Sequence, residues 1–92
     1  MTEKKIEVKH AGKFYVELEG KEAVCEYFFK DDNTIVLPHT FVPEELRGRG
    51  IAGKLVRKAL EFARTHNLRV IPVCSYVKRY LEKHPEYKDL LA

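Results

Sequence analysis

Ninety-two residues, 45% of them hydrophobic, form one domain over residues 1–92 with room for a single modest core. Seventeen Lys and Arg against fourteen Asp and Glu leave a formal charge of +3, a mild basic balance that suits an anionic ligand as readily as nucleic acid. No run approaches the roughly 18 apolar residues of a membrane-spanning helix, so no membrane partner is expected.

The opening residues Met1-Thr2-Glu3-Lys4-Lys5-Ile6 carry no apolar h-region and run straight into a strand, so the expectation is no secretory leader and a cytoplasmic chain. In that reducing setting Cys25 and Cys74 are expected as free thiols, Cys25 as a small buried hydrophobe. Two cysteines without a CxxC make no zinc site, and no metal is expected. Strand signals then follow one another: residues 6–10, a turn at Ala11-Gly12, and residues 14–18 with Phe14, Val16 and Leu18 on one face. Glu19-Gly20-Lys21 turns the chain into an aromatic-rich strand over residues 23–29, and Asp31-Asp32-Asn33 closes the next hairpin. A long strand over residues 34–42, interrupted at Pro38, completes an antiparallel meander.

From Gly50 to Thr65 the period changes. Ala52, Leu55, Val56, Ala59, Leu60 and Ala63 form a helical stripe, with Lys54, Arg57, Lys58, Glu61 and Arg64 around it. His66-Asn67 ends this helix, because Asn tolerates the left-handed conformation of a C-terminal cap. Residues 68–74 read as a strand, so residues 34–74 make a β-α-β unit whose two strands should lie parallel. Ser75 is the expected cap of a short helix carrying Val77, Tyr80 and Leu81, which His84-Pro85 stops, and residues 86–92 add a further helical turn.

The chemistry concentrates at Arg47-Gly48-Arg49-Gly50-Ile51-Ala52-Gly53, between a strand end and a helix start. Unpaired N–H groups and the partial positive charge of a helix N-terminus attract phosphate, and glycines let the backbone approach it. Arg47, Arg49 and Lys54 place cationic side chains around the same point. The spacing is neither a Walker A loop nor a dinucleotide fingerprint after a parallel strand. A plain glycine-rich loop before a surface helix, and an RGRG nucleic-acid patch, remain readings of these residues alone.

Arg47-x-x-Gly50-x-Ala52 resembles the Q/R-x-x-G-x-G/A acetyl-CoA motif of the GNAT superfamily of N-acetyltransferases, including its setting between a central strand and a long helix. The chain looks like the small, stand-alone GNAT-like family of the YjdJ type, over about residues 6 to 90. That family carries a histidine and threonine before the motif, as in His39-Thr40-Phe41-Val42-Pro43, and a cysteine followed by an aromatic after the next strand, as in Cys74-Ser75-Tyr76-Val77. The resemblance implies a minimal GNAT-like fold of the α/β (α+β) class: an antiparallel meander, then a β-α-β unit with a splayed strand pair, then a short C-terminal helix. It implies acetyl-CoA or CoA as cosubstrate, held by Phe41, Val42, Arg47, Gly48, Arg49, Gly50, Ile51, Ala52, Gly53, Ser75 and Tyr76. It also implies Cys74 and His39 as the catalytic pair.

Pro38 and Pro72 fit that picture, since proline cannot donate to a ladder and two such strands pair poorly, leaving a slot for the pantetheine arm. Edge strands or bulges account for the same prolines equally well. Cys74 precedes a helix, whose N-terminal field favours thiolate, and both strands of the unit bring Cys74 and His39 toward the same end of the sheet. His39 is then either a base toward the thiol or a base toward an amine. A buried structural thiol and a core histidine are the corresponding bland readings. His10, His66 and His84 read as surface or capping residues.

The expected function is acetyl transfer from acetyl-CoA to an amine the sequence does not name, a protein or peptide amine included, by a monomer. A CoA-binding sensor or adaptor without turnover is the alternative. A nucleic-acid module built on Arg47, Arg49, Lys54, Arg57 and Lys58 ranks last, because the aromatics are not interleaved with those charges.

Overall fold

A computed structural model describes residues 6–92; residues 1–5, on which the leader expectation rests, lie outside the described residues. Alternating polar and apolar residues build strands β1 (Lys9–His10), β2 (Lys13–Leu18) and β3 (Lys21–Glu26). The strand expected over residues 6–10 is paired only at Lys9↔Tyr15 and His10↔Phe14. β2 and β3 close through Leu18↔Lys21, with Glu19 at φ 55° and Gly20 at φ 75°. Positive φ at both central residues is the type I′ geometry that matches strand twist.

The chain continues as β4 (Phe28–Asp31), β5 (Thr34–Leu37) and β6 (Thr40–Phe41). The two long strands expected over residues 23–29 and 34–42 are each broken in two, at Tyr27 and at Pro38-His39. Between the pairs Cys25↔Thr40 and Phe28↔Val36 the chain advances three residues on one arm and four on the other. The extra residue is a bulge around Pro38, where the ladder cannot take a donor from the ring nitrogen. Strand β7 (Arg69–Pro72) runs parallel to β5, from Thr34↔Arg69 to Leu37↔Pro72. The result is a four-stranded sheet in the order β1-β2-β3-β6 and a three-stranded sheet in the order β4-β5-β7. The expected meander followed by a β-α-β unit is the observed architecture.

Helix α1 (Ile51–Thr65) is the crossover between β6 and β7. Ile51, Leu55, Val56, Ala59, Leu60 and Ala63 are buried on it, so Ile51 rather than Ala52 begins the apolar stripe. Leu55 and Leu60 are fully covered by the sheets, a burial that contributes about 1.5–3 kcal/mol for each side chain. The helix ends as a Schellman motif, with Leu68 N–H on the Ala63 carbonyl at 2.8 Å and Asn67 N–H on Arg64 at 3.3 Å. Asn67 takes φ 56° there, the left-handed cap its side chain tolerates.

Helix α2 (Ser75–Lys83) buries Val77 and Leu81 and rests against α1 and β7. Two 3₁₀ turns, Glu44–Leu46 and Pro85–Leu90, bury Leu46, Tyr87 and Leu90. The terminus finally returns to β7, with Ala92 N–H on the Val70 carbonyl at 3.0 Å. All of this packing lies on one side of the sheets, where Phe14, Val16, Ala23, Cys25, Ile35, Leu37 and Val70 point.

Candidate active site at the parting strands

β5 and β7 stay paired only as far as Leu37 and Pro72. The Leu37 carbonyl takes both following donors, Val73 N–H at 3.2 Å and Cys74 N–H at 3.0 Å. Beyond it β6 turns away to β3, through Glu26 N–H on the His39 carbonyl at 2.9 Å and the pairs Cys25↔Thr40 and Val24↔Phe41. The two parallel strands therefore part where both prolines stand, leaving β6 with one free edge facing the start of α2.

The bulge decides which side chain faces which way. Alternation from the buried Ile35 and Leu37 would carry His39 and Phe41 to the helix side. One inserted residue reverses this, so Thr40 faces inward beside the buried Cys25, while His39 and Phe41 face outward and stack 6.4 Å apart at 11°. Cys74 accordingly meets Thr40, not His39: its thiol lies 3.7 Å from the Thr40 hydroxyl. His39 is exposed, and among the described residues its side chain makes no hydrogen bond or ion pair.

Cys74 is the N-cap residue of α2, at φ −65° and ψ 130°, and Ser75 is the first helical residue instead of the cap. Burial raises the Cys74 thiol pKa, but the Val77 N–H, the Thr40 hydroxyl and the Tyr76 N–H outweigh it, so the net shift is downward. The sulfur makes no capping hydrogen bond of its own, yet it lies close enough to these N–H groups that the thiolate is the form that gains. Cys25, fully covered in β3, is the opposite case, its thiol pushed up to about 11 chiefly by burial. Both cysteines are free.

The glycine turn sits across from this thiol. Gly48 (φ 80°) and Gly50 (φ 74°) are both left-handed, a conformation that other residues reach only with strain, and open space lies over each. Gly50 caps α1 without any side-chain hydrogen bond. The first intrahelical donor is Lys54 N–H, on the Gly50 carbonyl at 3.2 Å. The N–H groups of Ile51, Ala52 and Gly53 before it have no helical acceptor, as at any helix start. Gly53 faces α2, and a Cβ there would lie 3.6 Å from the Tyr76 hydroxyl and 3.7 Å from the Tyr80 ring.

The two arginines brace this turn instead of pointing freely over it. Arg47 Nε donates to the Val42 carbonyl at 3.0 Å, tying the turn to the end of β6. Arg49 reaches back to the β2–β3 hairpin, pairing with Glu19 at 3.0 Å, and donates to the Glu45 carbonyl at 3.3 Å. The Arg49–Glu19 link was not visible in the sequence, since 30 residues separate the two.

The other histidines sit elsewhere. His10 bonds Tyr27 Oη at 2.6 Å and stacks on Phe14, His66 bonds the Phe62 carbonyl at 3.0 Å, and His84 stacks on Tyr80. Lys54, Arg57 and Lys58, taken in the sequence as remote from aromatics, share a groove of about 790 Å³ with His10, Phe14 and Phe62. Among the described residues no three His, Cys, Asp or Glu side chains could hold a metal ion, and no helix is long and apolar enough to cross a membrane.

Comparison with known proteins places this geometry in context. The family described as GCN5-related N-acetyl-transferase matches residues 13–90. Protein NATD1 of Xenopus tropicalis is 36% identical over 85 residues, spanning 87% of this chain and 78% of that protein. Protein NATD1 of Danio rerio is 33% identical over 92 residues, spanning 92% and 84%. The NMR solution structure of a GCN5-like protein from Staphylococcus aureus superposes with a TM-score of 0.76 at 38% identity, covering 95% of this chain and 88% of that one.

Proposed function

Because this chain belongs to the GCN5-related N-acetyltransferase family, we propose that it binds acetyl-CoA and transfers the acetyl group to an amine through Cys74. One observation carries the reading: the N-cap residue of α2 is a cysteine with a lowered thiol pKa, placed where β5 and β7 part and across from the bare N-terminus of α1. A cosubstrate whose pantetheine arm joins a diphosphate to a thioester needs both features in that order.

The residues fit that ligand. N–H groups of Ile51, Ala52 and Gly53 present donors to the diphosphate, and the left-handed Gly48 and Gly50 keep side chains out of its way. Arg47 and Arg49 hold the turn in shape and add positive charge beside it. Phe41 and Val42 at the open edge of β6, with Ser75 and Tyr76 at the start of α2, flank the slot for the pantetheine arm.

The proton assignments follow from the environments. Cys74, whose thiol ionises more readily than an ordinary one, is suited to attack the thioester carbonyl and become acetyl-cysteine, with the CoA thiolate leaving. Tyr76, pushed up by burial against a smaller opposing effect of Arg79, keeps its phenol proton and suits the donor to that thiolate. His39 lies on the outer face, where it suits the base toward the incoming amine rather than toward the thiol. We assign the chain to the cytoplasm, where two free thiols persist, and to a monomer.

Calorimetry with acetyl-CoA and CoA, on the wild type and an Arg47→Ala/Arg49→Ala variant, tests the binding. Absence of wild-type binding at sub-millimolar ligand overturns the reading and directs attention to the Lys54, Arg57 and Lys58 groove and nucleic acid. Acetyl-Cys74 found by mass spectrometry after mixing supports transfer. Binding without any acetylation of Cys74 or of added amines supports the sensor reading instead.

A further inference from the structure

The face of the sheets opposite the helices carries a second arrangement. The pair Cys25↔Thr40 sets Glu26 directly opposite His39, and the Glu26 N–H bonds the His39 carbonyl. Directly opposed side chains on one face of an antiparallel pair have Cβ atoms about 4.5–5.5 Å apart. Both residues are exposed, and both lie on the outward side, because Cys25 and Thr40 take the inward one. Phe41, next to His39 on that face and 45% exposed, adds an aromatic wall.

The carboxylates of this face differ in their partners. Glu17 pairs with Lys9 at 3.8 Å and Glu22 with Lys13 at 2.9 Å. Lys13, which the register sets beside Glu26, gives its hydrogen bond to Glu22 and is also drawn by the Glu26 charge. Glu26 has no ion pair or side-chain hydrogen bond within the described residues. A carboxylate free of hydrogen bonds, an imidazole and an aromatic face together match an ammonium group on an alkyl stem.

We propose that Glu26, His39 and Phe41 form the acceptor subsite, which binds a primary alkylamine as its ammonium ion. This rests on the transferase reading above. Glu26 holds the ammonium, Phe41 covers its methylenes, and His39 accepts one proton to release the free amine. The amine nitrogen then attacks the acetyl carbon: an N–C bond forms, the C–S bond breaks, sulfur leaves as thiolate, and the second amine proton passes to that thiolate. Thiol chemistry and amine chemistry are thus kept on opposite faces of β6 and meet at its free edge, where Thr40 touches Cys74.

The test is an amide ¹⁵N–¹H titration with Nα-acetyl-lysinamide, on the wild type, Glu26→Gln and Glu26→Asp, which reads the subsite whether or not the protein turns over. Shifts should centre on Glu26, His39 and Phe41, weaken at least about tenfold in affinity in Glu26→Gln, and return in Glu26→Asp. The position is exposed, and unchanged dispersion of the remaining amides verifies the fold of each variant. Shifts centred on another face, equal binding by Glu26→Gln, or no shift at probe on the order of tens of millimolar would overturn the assignment. Failure of the transferase reading shows separately, as wild type that binds no acetyl-CoA or never acetylates Cys74.

Discussion

The two helices begin against each other, Gly53 of one facing Tyr76 of the other, yet their first turns are finished in opposite ways. Helix α1 starts on a left-handed glycine with no capping side chain, so its early N–H groups stay bare. Helix α2 starts on Cys74, whose sulfur makes no capping hydrogen bond but sits near the first N–H groups, which favour its thiolate. One terminus is left open for an anion to arrive, and the other already holds the atom that becomes the anion. The same helix electrostatics thus serve binding at one end and reactivity at the other.

Removing the sulfur should separate the two roles most sharply. Cys74→Ala is expected to lower acetyl transfer by about 10²-fold or more while acetyl-CoA affinity stays within about twofold, read by steady-state kinetics and calorimetry. Equal transfer by the variant would take Cys74 out of the chemistry. The converse change is at Gly50. Valine there forces a β-branched residue to φ 74°, costing about 1–3 kcal/mol in chemical denaturation, and its Cβ intrudes where the diphosphate would approach. A loss of CoA affinity larger than the loss of stability would confirm the open terminus as the anion site.

Thr40 tests how the thiolate is held. As pH falls from the alkaline side, Cys74 should stay ionised further than an ordinary thiol, because its pKa is lowered. Cys25, at about 11, should stay protonated throughout the neutral range. Iodoacetamide near neutral pH is therefore expected to alkylate Cys74 and spare Cys25. Thr40→Val removes a group that lowers the Cys74 pKa, so its alkylation inflection should move to higher pH. An unmoved inflection would leave the helix N–H groups as the whole cause. The smallest effect is at Ser75: because Cys74 holds the cap position, Ser75→Ala should change stability by less than about 0.5 kcal/mol, against about 0.5–2 kcal/mol for a true cap.

Much of this fold was legible before any coordinates. The stripe on α1, the Asn67 cap, the hairpin at Glu19-Gly20 and the glycine turn are set by neighbours a few residues apart, and each appears where the spacing placed it. The parting of the strands was expected from the family resemblance, whereas Pro38 and Pro72 by themselves left bulges or edge strands equally open. What the linear order concealed were distances between remote residues. Thr40 reaches Cys74 across 34 positions, and Arg49 reaches Glu19 across 30.

The sequence by itself determined the order of the main elements and the residue types gathered at the site, since propensity, periodicity and proline chemistry act locally, but not the break at Tyr27. Only the tertiary structure decided that His39 and Cys74 lie on opposite faces. That outcome hangs on one inserted residue near Pro38, and side chains alternate with a period of two, so a single-residue slip in register reverses every face beyond it.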